Sequence, residues 1–213
     1  MISLLFWNLN NKALIKSITN LVLKNQIDIL ILVECPIEPF ELLNSLNSEE
    51  DPKYFFAPGN CKRIHIYTNF SDLYIKPRFE SDRLTIRHLK LPARMDILLA
   101  ITHFPSKREW SGDSQAHECI NLAEDIKREE KSIGHSRTIL VGDLNMNPFE
   151  TGMVSAKGLH AVMSKAIARK GHRTVQKQQY PFFYNPMWSL LGDSTIGPPG
   201  TCYFPRSEHI AYF

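Results

Sequence analysis

Ile139-Leu140-Val141-Gly142-Asp143-Leu144-Asn145-Met146-Asn147-Pro148 is the stretch that organises this chain. Three apolar residues read as the end of a buried strand. A glycine then lets the backbone turn, and polar side chains follow at alternating positions. On an extended chain Asp143, Asn145 and Asn147, at i, i+2 and i+4, lie on one side. Pro148 is expected to stop the strand. A carboxylate and two amides at the mouth of a strand can position a water, accept its proton, and donate to an oxyanion. The plain alternative is an Asx-rich turn, because Asp and Asn bond their own backbone after a strand.

Working outward, the 213 residues are enough for one sizeable domain. Hydrophobic residues make up 43% and charged residues 22%, which is ordinary for a globular protein. A net charge of +3 does not by itself call for a polyanionic partner, so that case rests on local clustering. Cys35, Cys61, Cys119 and Cys202 are scattered, with neither zinc spacing nor a disulfide framework, and this fits a reducing, cytoplasmic setting. The apolar start, Met1 to Trp7, has no basic leader and reads as a first strand. No apolar run approaches membrane-spanning length.

In chain order, Ile2–Leu9 is expected to be a strand, and Lys12–Lys24 an amphipathic helix with Leu14, Ile18, Leu21 and Val22 inward. Ile27–Val33 is continuously apolar, as a central strand covered on both faces should be. A short helix follows around Phe40–Leu46. Tyr54–Ala57, Arg63–Thr68 and Leu73–Ile75 read as short strands. Leu84–Leu89 and Asp96–Thr102, joined through Pro92-Ala93, resemble a hairpin. Gln115–Ser132 is the longest helix, with Cys119, Leu122, Ala123 and Ile126 on its inner face, and Arg137–Val141 is the strand into the opening motif. Strands outnumber helices and the long helices are separated by paired strands. That pattern predicts two sheets packed face to face with helices outside.

From Thr151 to Gly192 there is no Asp or Glu. Lys157, Lys165, Arg169, Lys170, Arg173 and Lys177 fall here with His160 and His172. Tyr180, Phe182, Phe183, Tyr184 and Trp188 follow. A basic run followed by aromatics suits phosphates and bases, against the alternative of a solvated face beside a core helix.

Asn8 and Asn10, Glu34, His103, and Asp143 with Asn145 each follow an expected strand. If those ends share a rim, Glu34 is a hard oxygen ligand for Mg2+ and Asn10 adds a neutral oxygen. Asp143 orients or deprotonates a water, Asn145 holds a phosphate oxygen or fixes that water, and a protonated His103 stabilises developing charge. Such a set describes phosphoester hydrolysis.

Phe6-Trp7-Asn8-Leu9-Asn10, Leu32-Val33-Glu34, Thr102-His103-Phe104-Pro105-Ser106 and Gly142-Asp143-Leu144-Asn145-Met146-Asn147-Pro148 resemble the endonuclease/exonuclease/phosphatase superfamily, in its order, over residues 1 to 150. The resemblance implies an α+β fold, the four-layer αββα sandwich of the deoxyribonuclease I type, in one domain over 1–213. It implies Mg2+ or Mn2+, with Glu34 as the principal ligand and Asn10 nearby. Asn8 would face the phosphate, His103 would contact the scissile group, and Asp143 and Asn145 would position nucleophile and phosphate. Arg83 matches a phosphate-side arginine. With Asn147, Arg173, Tyr184 and Trp188 added as substrate contacts, the expected activity is a nuclease on nucleic acid with no membrane partner. The alternatives are a small-molecule phosphatase or an inactive nucleic-acid-binding module.

The resemblance stops near the C-terminus. The family ends with an Asp at a late strand and then an Asp-His pair. Here Ser207-Glu208-His209 carries Glu in place of Asp, and Asp193 reads as a turn. The expectation is a domain that stops before its last two strands, and hydrolysis by this chain alone would then be weak. The alternative is substitution of the pair by Glu208-His209.

Overall fold

A computed structural model describes residues 2–48, 53–190, 202–203 and 210–211. Ser207-Glu208-His209 and Asp193, the expected ending, lie outside the described residues. The chain divides into two compact units, Met1–His103 with Glu129–Asp143, and Phe104–Arg128 with Leu144–Phe213.

The first unit holds two four-stranded sheets. One has the order β1-β2-β4-β3, from β1 (Leu4–Asn8), β2 (Ile29–Val33), β3 (Phe55–Phe56) and β4 (Ile64–Thr68). Two helices belong with it, α1 (Ile15–Lys24) and α2 (Pro39–Leu46). The other sheet has the order β5-β6-β7-β8, from β5 (Ile75–Glu80), β6 (Leu84–Leu89), β7 (Ile97–His103) and β8 (Thr138–Asp143).

β2 is buried at every position, as its unbroken apolar run requires. It lies between β1, parallel, and β4, antiparallel. Its alternate side chains serve two cores. Leu30 and Leu32 face a cluster with Ile18 and Val22 of α1 and Leu42 and Leu46 of α2. Ile29, Ile31 and Val33 face another with Ile66, Ile75, Leu89, Leu99 and Ile101, from strands of both sheets. The second cluster is the sandwich interior. Each fully buried Leu or Ile stabilises it by about 1.5–3 kcal/mol.

The hairpin expectation holds, since β6 and β7 pair antiparallel from Leu89↔Ile97 to Leu84↔Thr102. β7 and β8 then pair parallel, which sets His103 beside Asp143. That pairing needs Gly142, because a Cβ there would sit 2.0 Å from the Thr102 carbonyl oxygen.

Two expectations change, and one strand is added. Asp72–Tyr74 is a 3-10 turn, capped by the Ser71 hydroxyl accepting from Leu73 N–H at 3.3 Å, so Leu73–Ile75 is not a strand. β5 begins at Ile75 and was hidden by Pro77 and by the bulge between Pro77 and Phe79. Leu21 of α1 is 42% exposed, on the flank of the buried Ile18–Val22 stripe.

The helix α3 (Gly112–Ile133) buries Cys119, Leu122 and Ile126, three of its four expected inner residues. The second unit also contains α4 (Thr151–Val154), β9 (Ala161–Val162), α5 (Lys165–Ala168), β10 (His172–Val175), β11 (Gln178–Pro181) and β12 (Phe183–Tyr184). β10 and β11 form a hairpin whose two turn residues, Gln176 and Lys177, have φ of 50° and 67°. Two left-handed residues in a two-residue turn match the twist of a hairpin.

Candidate active site

Four strand ends of the first unit meet through their side chains. Asn8 ends β1, Glu34 follows β2, His103 ends β7 and Asp143 ends β8. Asn8 Nδ2 donates to Glu34 Oε1 at 3.1 Å and to Asp143 Oδ2 at 3.0 Å. His103 Nε2 lies 3.1 Å from the same Glu34 Oε1. One amide and one imidazole therefore hold two carboxylates at the rim where the sheets end. Asn8 Oδ1 accepts from Asn10 N at 2.9 Å, so the Asn8 carboxamide is committed at both of its atoms.

The backbone is strained here. Asn10, Asn11 and Glu34 have φ of 47°, 57° and 48°. Asn adopts this left-handed region readily, whereas a Glu there is uncommon and costs energy that its surroundings must offset. Asn11 N–H donates to the Glu34 carbonyl at 3.0 Å, tying the two strand ends together. The end of β7 is held by the Arg83 carbonyl, which accepts from His103 N at 3.0 Å and from Thr102 Oγ1 at 3.1 Å. Arg83 thus adjoins the cluster through its main chain.

The donor set fits a hard divalent cation. Glu34 Oε2 makes no hydrogen bond among the described residues, and the carboxylate is 30% exposed. The Asp143 carboxylate accepts from the same Asn8 amide nitrogen, so two carboxylates lie at the rim, and carboxylate oxygens suit such an ion. His103 is buried, and its Nδ1 has no hydrogen-bond partner among the described residues.

Asn145 and Asn147 do not extend the strand. β8 ends at Asp143, and Asn145 has φ of 52°, so the expected i, i+2, i+4 alignment is broken by a left-handed residue. The strand stops five residues before Pro148. In the second unit, Asn145 Nδ2 donates to the Phe104 carbonyl at 2.9 Å, and Gln115 Nε2 donates to the carbonyls of Pro105 and Asn145 at 3.2 Å each. Asn147 N–H donates to Glu150 Oε1 at 2.9 Å, an oxygen that also pairs with Lys107. The sequence reading missed Gln115 and Glu150. A glutamine on the buried side of an amphipathic helix was the available signal.

The basic and aromatic residues of the second unit occupy several elements. Lys157, Lys165, Arg169, Lys170, His172, Arg173 and Lys177 are exposed, with Arg173 on β10. Tyr184 is on β12, and Lys165 Nζ is 5.5 Å from its ring centroid. Trp188 lies 6.1 Å from Phe149, centroid to centroid. His160 is buried, stacks on Phe182 at 4.4 Å and bonds to the Pro181 carbonyl, so it is a packing residue.

Cysteine chemistry finds little support. Cys35, Cys61 and Cys119 are free thiols, and burial pushes each one up, Cys119 to about 12. The thiolate is the reactive form, so these are poor nucleophiles. No helix among the described residues is long and apolar enough to cross a membrane.

Two mixed sheets that share one apolar interior make a fold of the deoxyribonuclease I type. Among solved structures, truncated Caenorhabditis elegans TDP2 is similar at 16% identity over 70% of this chain and 64% of that one, with a TM-score of 0.50. The human Nocturnin catalytic domain with bound sulfate anion is similar at 16% identity over 73% and 70%, also at 0.50. An endonuclease/exonuclease/phosphatase family protein from Leptotrichia buccalis aligns at 14% identity over 81% and 74%, at 0.47. No protein-family profile and no curated protein sequence matches the chain.

Proposed function

We propose that this chain is a divalent-metal-dependent phosphodiester hydrolase acting on nucleic acid. The observation that carries the reading is the hydrogen-bonded set Asn8–Glu34–Asp143 with His103 on Glu34. Metal-assisted hydrolysis of a phosphodiester uses a group to bind a cation, a base or orienting group for water, and a donor to the charge that develops. Glu34 and Asn10 supply the first, as ligands to Mg2+ or Mn2+. The ion, when bound, polarises phosphoryl oxygens and neutralises developing charge. Asp143 orients the attacking water or takes its proton, and Asn145 and Asn147 hold a phosphate oxygen. His103, in its protonated form, stabilises charge on the phosphoryl group. Asn8 keeps the two carboxylates in register and edges the phosphate.

Nucleic acid is favoured as substrate by the exposed basic residues between Lys157 and Lys177, in a stretch without carboxylates. Arg173, Tyr184 and Trp188 are the proposed contacts there, and Arg83 lies on the phosphate side of the catalytic rim. That the Nocturnin catalytic domain, of the same fold, holds a sulfate agrees with a tetrahedral oxyanion as ligand. A cytoplasmic setting is consistent with the free thiols.

The test is incubation of the purified chain with plasmid, single-stranded DNA, RNA and a small aryl phosphodiester, each with Mg2+, Mn2+ or EDTA. From this chain alone, weak cleavage that requires the metal and disappears in Asp143→Ala is expected. Hydrolysis of the aryl ester alone would redirect the reading to a small-molecule phosphatase. Salt-sensitive retention of DNA or RNA without cleavage would replace the enzyme with a binding module.

A further inference from the structure

At the opposite end of the β7–β8 pair lies a second cluster of ligating groups. His88 is on β6, Asp96 immediately precedes β7, and His135 sits in the connection from α3 to β8. His88 Nε2 is 2.8 Å from Asp96 Oδ2, and His135 Nε2 is 3.3 Å from the same oxygen. The three ligating atoms all lie within 4.8 Å of one another. All three residues belong to the first unit.

Two details set this cluster apart from an ordinary ion pair. The His135 side chain is only 9% exposed, and its Nε2 makes no hydrogen bond among the described residues although it faces a carboxylate. Two imidazoles face one oxygen, and of the two only the His88 contact is a well-formed hydrogen bond. The other oxygen is already engaged, since Arg137 Nη2 donates to Asp96 Oδ1 at 2.6 Å and Arg137 Nε to the Asp96 carbonyl at 2.8 Å. Arg137 thereby fixes the carboxylate with Oδ2 presented to both rings. A partner that orients a ligand from outside is the usual companion of a metal site.

We propose that His88, Asp96 and His135 form a binding site for a transition-metal ion of the zinc class, separate from the catalytic rim. Two imidazole nitrogens and one carboxylate oxygen are a zinc-type donor set, whereas Mg2+ prefers oxygens throughout. Ligand bonds of about 2.0–2.1 Å at a tetrahedral angle separate ligand atoms by about 3.3 Å. The His135–Asp96 spacing is already at that value, and the His88 contact has to open slightly. Metal binding through Nε2 moves the His135 proton to Nδ1, and this gives up the 3.2 Å hydrogen bond from Arg137 N–H. That long bond is a small loss beside a new metal–nitrogen bond.

The ion would bolt three segments together: β6, the start of β7 and the entry to β8. The last two are the starts of the strands that end in His103 and Asp143. Six residues of strand put the two sites about 20 Å apart, so they load independently.

The experiment uses the full chain stripped by chelator and then titrated with ZnCl2, CoCl2 or MgCl2. Calorimetry is expected to give one tight Zn2+ per chain, retained in Glu34→Gln and lost in His88→Gln and in His135→Gln. The loss should exceed the about 10- to 100-fold weakening that removal of an outer partner such as Arg137 causes. Co2+ should give the visible absorption of a tetrahedral or five-coordinate imidazole site. Should the histidine variants fail to fold, wild-type protein is treated with diethylpyrocarbonate and mapped by mass spectrometry. Zn2+ is then expected to protect His88 and His135. Absence of stoichiometric Zn2+ binding, binding lost in Glu34→Gln but not in the histidine variants, or no protection of His88 and His135 would each overturn the proposal.

Discussion

Asn8 and Asp143, 135 positions apart in the chain, are joined by a 3.0 Å hydrogen bond between the end of the first strand of one sheet and the end of the last strand of the other. The same amide nitrogen reaches Glu34, so a single neutral side chain stands between two carboxylates.

Replacing that spacer by a charge should expose the repulsion it screens. Asn8→Asp is expected to lower the urea midpoint more than Asn8→Ala does, because like charges at hydrogen-bond range disfavour the compact state. A saturating divalent cation should then restore more stability to Asn8→Asp than to the wild type, through preferential binding to the folded form. Equal midpoints for the two variants would argue against the bridging role.

His103 is held between Glu34 and the Arg83 carbonyl through side chain and main chain respectively. Because its proposed role is that of a donor to developing charge, His103→Ala is expected to reduce kcat for phosphodiester cleavage by about 10²–10³-fold. Binding of the metal, followed by calorimetry, should change far less.

Gly142 packs without a side chain against the Thr102 carbonyl. In Gly142→Ala the added methyl must displace main chain, so a stability loss of about 1–3 kcal/mol is expected in denaturant unfolding. Activity should fall with it, because the displaced segment carries Asp143. An unchanged midpoint would contradict the close approach.

Asp28 joins the start of β1 to β2. Partial burial pushes its carboxyl up, but hydrogen bonds from Ser3 N–H at 2.7 Å, from Asn69 Nδ2 and from the Ser3 hydroxyl, with the charge of Arg94, hold it below the usual carboxylate range. A carboxyl depressed in the folded state adds stability above its unfolded pKa and loses it as the pH falls through the folded value. The wild type should therefore exceed Asp28→Asn in stability at neutral pH. The gap should close on acidification below the ordinary aspartate range, measured by urea unfolding across pH.

Gln176 and Lys177 hold left-handed backbone at the tip of the β10–β11 hairpin. Lys177→Gly is expected to stabilise the hairpin by about 1 kcal/mol, since glycine takes φ > 0 without the Cβ penalty. Slower amide exchange in 172–181 would register it.

Much of this architecture is legible in the residues. Ile27–Val33 reads as an interior strand, and the paired runs at Leu84–Leu89 and Asp96–Thr102 announce a hairpin. Strand ends are legible too, because an apolar run that stops at Asn8, Glu34, His103 or Asp143 leaves a polar group at a rim. Periodicity fails where the backbone leaves its regular region. Asn145 breaks the alternation assumed for the Asp143–Asn147 run, and the bulge in β5 erases its period. The segment after Thr151 is built from elements of two to five residues, too short for any repeat to emerge. His88, Asp96 and His135 come from three segments with no common spacing, so only the folded chain brings them together.

Left-handed backbone at Asn10 and Glu34 sets robustness against the proposed chemistry at the same two positions. Glycine would relax each of them, and a search for heat-resistant variants would be drawn there, yet every such gain would strip a carboxamide or carboxylate from the rim. The toughest version of this protein would therefore be one with nothing left at its strand ends to do the work.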